Sequence, residues 1–536
     1  MLKILYAILI LSILNSGVEA TTTTCDILIY GGTSAGITAA IQAKRLGKSV
    51  ILIHSGKHVG GATANGLGFI DSNNHSIIGG IAREFFHRIW TFYQNDAVWK
   101  FETAHPIMDQ KGMPDPHNET MWVVEPHVAE RIFKAMLQAA KVPVVLEEKL
   151  DLVNGVEKNG EQIVQLKMLS GNIYQAKVFI DATYEGDLMA AAKVSYIVGR
   201  EANSLYGETY NGVQSNVKSS FPLKIDPYKT PGDPSSGLLP RIYPNAGGNH
   251  GEADQAVQAY CYRMCLTNVP ENRMMIPKPN NYDEWQYEIV FRAVEAGQKD
   301  FFKLSLLPNI KTDSNNTGLV STDFIGMSWN WAESDYDTRK QIALEHENWQ
   351  KGLVWTLQNH PRIPQELQHY YAPWGLPLDE FIENNHWPYE LYVREARRMI
   401  SSFVINENTA YGVNNRTDGV ALATYEMDSH YIKYYVSDNR TLAGEGGLYK
   451  KIPHPLPISY QAIVPKMEEC QNLIVPVCLS ATHVAYGSIR MEPTFMVLGQ
   501  SAATAASLAI DLGTSVQEVP YDRLRTQLLA NGQKLN

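Results

Sequence analysis

Two histidines and two arginines in the second half of the chain carry the side chains best suited to proton transfer and to holding negative charge. An unperturbed imidazole titrates near neutral pH, which makes His483 the first candidate proton acceptor and His430 the second. Asp428 stands two residues before His430, on the same face of an extended segment, and a carboxylate beside an imidazole orients it as a base. Arg490 is a candidate clamp for an anionic or developing charge, with Glu492 placed to orient it. Arg394, in the polar-rich run 391–400 that reads as a helix, is the other arginine able to hold an anion, while Arg397 and Arg398 read as braces between domains. Arg263, in a stretch at 256–266 that reads as a helix, is expected to act as an ion-pair partner inside the same region. Lys311, Thr312, Asp313, Asn315 and Asn316 read as a polar loop, serving either substrate contact or a turn network. No His, Cys, Asp and Glu set has zinc-hydrolase spacing and no Cys-x-x-Cys pair occurs, so no metal is expected and neither a dithiol relay nor an iron–sulfur cluster finds support.

The elements that must position these groups begin near the N-terminus. A short apolar run at 26–30 leads into Gly31, Gly32, Thr33, Ser34, Ala35 and Gly36, then a helix with one apolar face over 37–46 and a second apolar strand at 50–53. Strand, tight glycine turn and helix N-terminus form an anion site suited to a dinucleotide pyrophosphate. Thr33 stands where the usual spacing has its middle glycine, and its Cβ implies a wider turn or a displaced phosphate. An acidic residue at the end of the second strand normally holds a ribose. His54 and Ser55 stand there instead, each able to donate to a ribose oxygen.

The glycines that follow, Gly60, Gly61 and the segment 66–71, make this start resemble the FAD-dependent oxidoreductase family whose flavin domain is similar to those of glutathione reductase and fumarate reductase. Further blocks of resemblance lie at 122–130, 179–190, 199–212, 258–267, 311–316, 387–398, 425–430 and 473–509, in one order over most of the chain. The resemblance implies FAD as cofactor, with Gly60 and Gly61 along its phosphate and ribityl side and Val144, in a third parallel strand over 142–146, beside the adenine. It places Thr183 and Asp187, after a strand at 177–180, near the phosphates or the first helix; Asp187 also reads as a helix cap. It brings the chain back to the flavin at the end, where Glu492 and Gly499 open a helix rich in alanine over 494–510.

The fold class is therefore α/β: a Rossmann-like three-layer FAD-binding domain, discontinuous in sequence, with an inserted mixed α+β substrate domain. The expected division is a signal peptide at 1–20, the first part of the FAD domain at 21–198, a substrate or cap domain at 199–454, the C-terminal return at 455–520 and a tail at 521–536. Lys3, the apolar run 4–14 and the small residues Val18 and Ala20 read as a secretory signal cleaved after Ala20, implying a periplasmic or secreted protein. No later segment reads as long and uniform enough to span a membrane. A net charge of −10 with no basic block argues against a nucleic-acid partner, and five cysteines in 536 residues do not make a disulfide framework. Flavin chemistry requires a proton acceptor beside the carbon that gives up hydride, and a positive or N–H-rich environment for the charge the flavin gains. The expected function is hydride transfer from a polar small molecule, a sugar or sugar-derived alcohol, to flavin and then to an unknown electron acceptor. The alternatives are a flavoprotein hydroxylase or reductase, or a lyase-type or noncatalytic glycan-binding protein on the same fold.

Overall fold

The computed structural model describes residues 20–102, 117–214, 223–414 and 416–535. The signal-peptide reading, but for Ala20, falls outside these residues, as does most of the stretch 105–120, whose polar, proline-containing sequence reads as a loop.

Strand β1 (Thr22–Tyr30) lies at the centre of a parallel arrangement, flanked by β2 (Val50–Ile53) and β6 (Ile173–Asp181). Beyond β2 lies the two-residue strand β3 (Val144–Val145), also parallel. Side chains alternate between the two faces, as strand geometry demands. Ile27, Ile29, Val50 and Leu52 enter one buried cluster, and Leu28, Tyr30, Ile51 and Ile53 enter another. The first face is covered by α1 (Ser34–Arg45), α3 (Gly80–Tyr93), α4 (Pro126–Ala139) and the long helix Glu492–Leu512. Between α1 and α3 the chain makes α2 (Gly61–Ala64), a single turn. The second face is covered by Leu150 and by residues of an antiparallel meander, β4 (Val156–Asn159) and β5 (Gln162–Lys167), which continues into β6. The strand expected at 177–180 begins earlier and also closes the meander: β6 pairs antiparallel with β5 through Ile173–Gln175 and parallel with β1 along its length.

The chain returns to this sheet near its end. Leu473 and Ile474 pair parallel with Phe179 and Ile180 of β6, on the side opposite β1. Helix Glu492–Leu512 then lies against α1 so closely that a Cβ on Gly499 would sit 2.1 Å from the Ala35 carbonyl oxygen. Thr38 Oγ1 donates to the Met496 carbonyl (2.7 Å) and Gln42 Nε2 to Thr504 Oγ1 (3.0 Å), so polar bonds pin the same contact. By length and composition this helix is one that could cross a bilayer, contrary to the expectation that no late segment would, yet 78% of its apolar window is buried inside the protein. Its alanines and glycine serve close helix packing.

A separate apolar cluster draws on residues 225–442 and includes helix Tyr336–Asn359, whose buried side comprises Trp349, Leu353, Val354 and Leu357. Three expectations fail in this region. The run 256–263 is irregular and extended, followed by the strand Met264–Thr267. Its amides bond to distant partners instead of to the preceding turn: Ala259 N–H to the Tyr431 carbonyl, Tyr260 N–H to Ser328 Oγ and Tyr262 N–H to Gln350 Oε1. The run 391–400 is likewise extended, ending in a strand at Arg398–Met399 that pairs with Tyr196–Ile197. Extension sends Arg394, Arg397 and Arg398 to separate buried partners that one helix face could not reach. The expected polar loop at 311–316 contains the buried strand Lys311–Ser314, central in a three-stranded sheet. Its charges tolerate burial because they are paired. Lys311 Nζ meets Glu125 (2.8 Å), Glu380 (2.7 Å) and Asp379 (2.9 Å), and Asp313 meets Arg263. All five cysteines are free and buried.

Candidate active site

The turn after β1 is held by two side chains that glycine could not supply. Thr33 is the N-cap of α1; its hydroxyl donates to the Ala182 carbonyl (2.7 Å) and accepts from the Gly36 amide (3.3 Å). The extra Cβ at the middle position is therefore used to tie the turn to the end of β6. Gly31 has φ of +117°, and a Cβ there would lie 2.5 Å from the Ala182 carbonyl carbon; one on Gly36 would lie 1.9 Å from the Gly31 oxygen. Both positions require glycine. The opening amides of α1 have no intrahelical partner and face the turn, the arrangement that binds phosphate oxygens.

His54 follows β2 with its ring over this turn, Nδ1 accepting the Gly32 amide proton (3.0 Å) and Nε2 lying 3.2 Å from Glu390 Oε1. Ser55 is half-buried beside it, and Val144 is half-buried in β3 next to Leu52. Gly60 and Gly61 open α2, and Tyr184 reaches across to them, its hydroxyl accepting from the Ala62 amide (2.9 Å) and donating to Glu492 Oε1 (2.6 Å). Glu492 Oε2 also accepts from Thr63 Oγ1 (3.2 Å), at the N-terminal end of helix Glu492–Leu512. Burial raises the Glu492 carboxyl above its usual range. Thr183 caps the turn after β6 through Gly186 N–H (2.9 Å). Asp187 is the first residue of its helix, and its carboxylate is taken by Arg339 (2.7 and 2.8 Å) and Arg397 (2.9 Å). Gly499 lies at the crossing of its helix with α1.

From α2 the chain runs through Gly66, whose Cα lies against the Arg263 carbonyl, to Phe69, whose amide donates to Asp313 Oδ2 (3.1 Å), and on to Asp71. A cluster of charge surrounds this segment. Arg263 holds Asp313 through two bonds (2.7 and 2.6 Å), Arg490 holds Asp428 (2.8 Å) and Arg394 holds Asp323 (3.1 Å). Tyr392 sits among the three: its hydroxyl accepts from Arg490 (3.0 Å), and its ring centroid lies 5.6 Å from the Arg263 guanidinium and 4.9 Å from that of Arg394. Burial raises the Asp71 carboxyl, against the pull of Arg263. His430 closes the cluster, with Nδ1 2.7 Å from Asp323 Oδ2 and Nε2 3.8 Å from Asp428 Oδ2. Burial opposes charge on Asp323, but Arg394 and His430 outweigh it and hold the carboxyl below its usual value. Asp323 is thus the acceptor, His430 Nδ1 carries the proton and Nε2 presents its lone pair. Burial, with Arg394 nearby, pulls His430 below the ordinary imidazole range, keeping it neutral.

His483 belongs to a second network. Its Nδ1 lies 2.7 Å from Glu395 Oε2 and its amide donates to Glu201 (3.0 Å). Glu395 is buried, but His483 and Arg398 outweigh desolvation and hold it down to about 2. Gln258 joins the two networks, donating to Glu395 (3.0 Å) and accepting from the His430 amide (3.2 Å). The structure brings together His430, Asp428, Arg490, Arg394 and Arg263, which the sequence names separately, orients Arg490 through Asp428 and Tyr392 and not through Glu492, and adds Asp323 and Glu390, which the sequence reading lacks. Asp323 was detectable as one carboxylate in a small polar run, 321–323, between apolar segments; Glu390 carried no local signal.

A parallel strand core with a capped glycine turn at the N-terminus of α1 is the geometry of a dinucleotide-binding α/β domain. The model of the FAD dependent oxidoreductase family matches residues 26–528, and the chain belongs to that family. FAD is its cofactor, and a turn whose Gly31 and Gly36 leave no room for a Cβ, at the N-terminus of α1, fits the diphosphate. No curated protein sequence matches. Among solved structures, L-amino acid deaminase from Proteus vulgaris is similar at 12% identity and a TM-score of 0.24, over 34% of this chain and 54% of that one. L-alpha-glycerophosphate oxidase from Mycoplasma pneumoniae is similar at 14% identity and 0.22, over 33% and 59%. A geranylgeranyl bacteriochlorophyll reductase-like protein from Thermoplasma acidophilum is similar at 12% identity and 0.35, over 96% and 85%. The chain thus spans little more than half the length of the first two.

Proposed function

We propose that this oxidoreductase withdraws hydride from a neutral, hydroxyl-bearing small molecule, a sugar or sugar-derived alcohol, and that His430 accepts the hydroxyl proton. The observation that carries this is the Asp323–His430 contact within a cluster whose charges are already matched. Arg263, Arg394 and Arg490 each face an aspartate, so none has a full charge to give a substrate carboxylate. Paired carboxylates and guanidinium groups instead present acceptors and donors side by side, the pattern that adjacent hydroxyl groups satisfy.

FAD, when bound, supplies the hydride acceptor. His430 Nε2 takes the proton, Asp323 stabilises the imidazolium that results, and Arg490, fixed by Asp428 and Tyr392, steadies the oxygen that loses it. Residues 199–454, with their own apolar cluster, supply the substrate side, and residues 455–520 complete the flavin side; the return of residues 473–474 to β6 supports this division. The Glu395–His483 pair is the second reading for the base, since it also couples an imidazole to a buried carboxylate.

Anaerobic mixing with a panel of neutral sugars, polyols, sugar acids and amino acids, followed at the flavin absorbance band, tests both points. His430→Gln should keep FAD and slow substrate-driven reduction by about 10²-fold or more, while His483→Gln should cost far less. The reverse order would transfer the role to His483. Reduction by sugar acids or amino acids in preference to neutral sugars would remove the substrate assignment.

A further inference from the structure

The residue after β2 is His54, where a dinucleotide fold ordinarily has the carboxylate that receives both ribose hydroxyls. His54 cannot take that place as a free donor. Its Nδ1 accepts the Gly32 amide proton at 3.0 Å, so Nδ1 carries a lone pair and the ring proton sits on Nε2. That proton points to Glu390 Oε1, 3.2 Å away. Both ring nitrogens are therefore committed, one to the turn and one to a carboxylate from a segment far along the chain.

Glu390 stands over the chain just beyond β2: a Cβ on Gly56 would lie 3.0 Å from His54 Nε2 and 3.5 Å from Glu390 Oε1. Its side chain is 31% exposed, and among the described residues its only hydrogen bond is the one to His54. It also faces Tyr184 and Glu492 electrostatically, the two groups that close over the glycine turn. Among the described residues no lysine or arginine pairs with it. An acidic group in that position, with one oxygen held and the other open, has the donor-seeking character of the missing residue.

We infer that Glu390 is the carboxylate that receives the adenosine ribose of FAD, and that His54 is its positioning residue, a relay that ties Glu390 to the turn that binds the diphosphate. This rests on the FAD placement in the turn at residues 31–36. The ribose end of the cofactor is then held by the segment that also carries Tyr392, Arg394 and Glu395, so cofactor binding and the substrate-side network share one stretch of chain.

The test uses the full-length protein loaded with FAD, displaced by ADP or by 2′-deoxy-ADP, with release read by the rise in flavin fluorescence. The charge-assisted hydrogen bond of the 2′-hydroxyl, which 2′-deoxy-ADP lacks, makes ADP the stronger competitor by roughly 10- to 100-fold. Glu390→Gln should bring that ratio close to one while the absorbance spectrum of the bound flavin stays unchanged. Glu390→Asp should keep part of the preference, and His54→Leu should reduce it although Glu390 is intact. An undiminished ratio in Glu390→Gln, or equal displacement by the two nucleotides in the wild-type protein, would overturn the assignment while leaving the FAD placement standing. If neither nucleotide displaces FAD and Gly36→Asp binds FAD at wild-type affinity, the placement fails and the ribose assignment with it.

Discussion

Thr33 shows how one side chain can take over the work of a glycine. The middle position of the turn reads from sequence as a wider turn or a shifted phosphate, and the structure adds a hydroxyl bridge between Ala182 and Gly36. Thr33→Val keeps the shape and removes both bonds, so it should cost about 1–2 kcal/mol of stability and loosen FAD. Thr33→Ser should restore both, and denaturant titration with flavin release as a second readout distinguishes the variants. His54 was legible as a departure from pattern, but its partner was not, because Glu390 meets it only through the tertiary fold. The same holds for Asp323: Asp428 sits two residues from His430 and drew attention, yet the shorter contact, 2.7 Å against 3.8 Å, comes from the distant residue.

Elements with a strong local period were readable nearly to the residue. The second strand falls at Val50–Ile53 as expected, and the alanine-rich helix runs two residues beyond each end of the stretch 494–510. Segments 256–266 and 391–400 were misread because their apolar and charged residues suit a helix in isolation, whereas their amides and guanidinium groups find partners in other segments. Strand Lys311–Ser314 was misread for the opposite reason: a lysine, an aspartate and two hydroxyls resemble a surface loop until their partners are known. That strand gives a direct check on how it survives burial. Lys311→Met removes the ammonium that Glu125, Asp379 and Glu380 share and should destabilise by about 3–5 kcal/mol, the cost of uncompensated buried charge. Adding Glu380→Gln should recover part of this, which comparative chemical denaturation would show; no recovery would mean that Lys311 acts through packing alone.

At the scale of the molecule, buried histidines set an acid limit. Burial pulls His346 down to about 4, with its Nδ1 at 2.8 Å from the Ile342 carbonyl, and His430 is lowered as well. The unfolded chain takes up these protons first, so stability falls as pH drops below about 6.5, the unfolded imidazole value, and the His346 contribution levels off only below about 4. The loss from His346 is on the order of 3 kcal/mol across that window, and His346→Gln should flatten the corresponding fall in unfolding midpoint between pH 6.5 and 4. The pairing of Leu473–Ile474 with β6, and of Gly499 with Ala35, has a consequence for how the protein is made. While the ribosome is still translating the middle of the chain, the end of β6 has no neighbour on one side and α1 lacks cover where helix Glu492–Leu512 will lie. An unpaired strand edge and an open hydrophobic surface are the features that draw nascent chains into aggregates or onto chaperones. Residues 20–198 expressed alone should accordingly sediment with the insoluble fraction, and co-expression with residues 455–535 should return them to the supernatant.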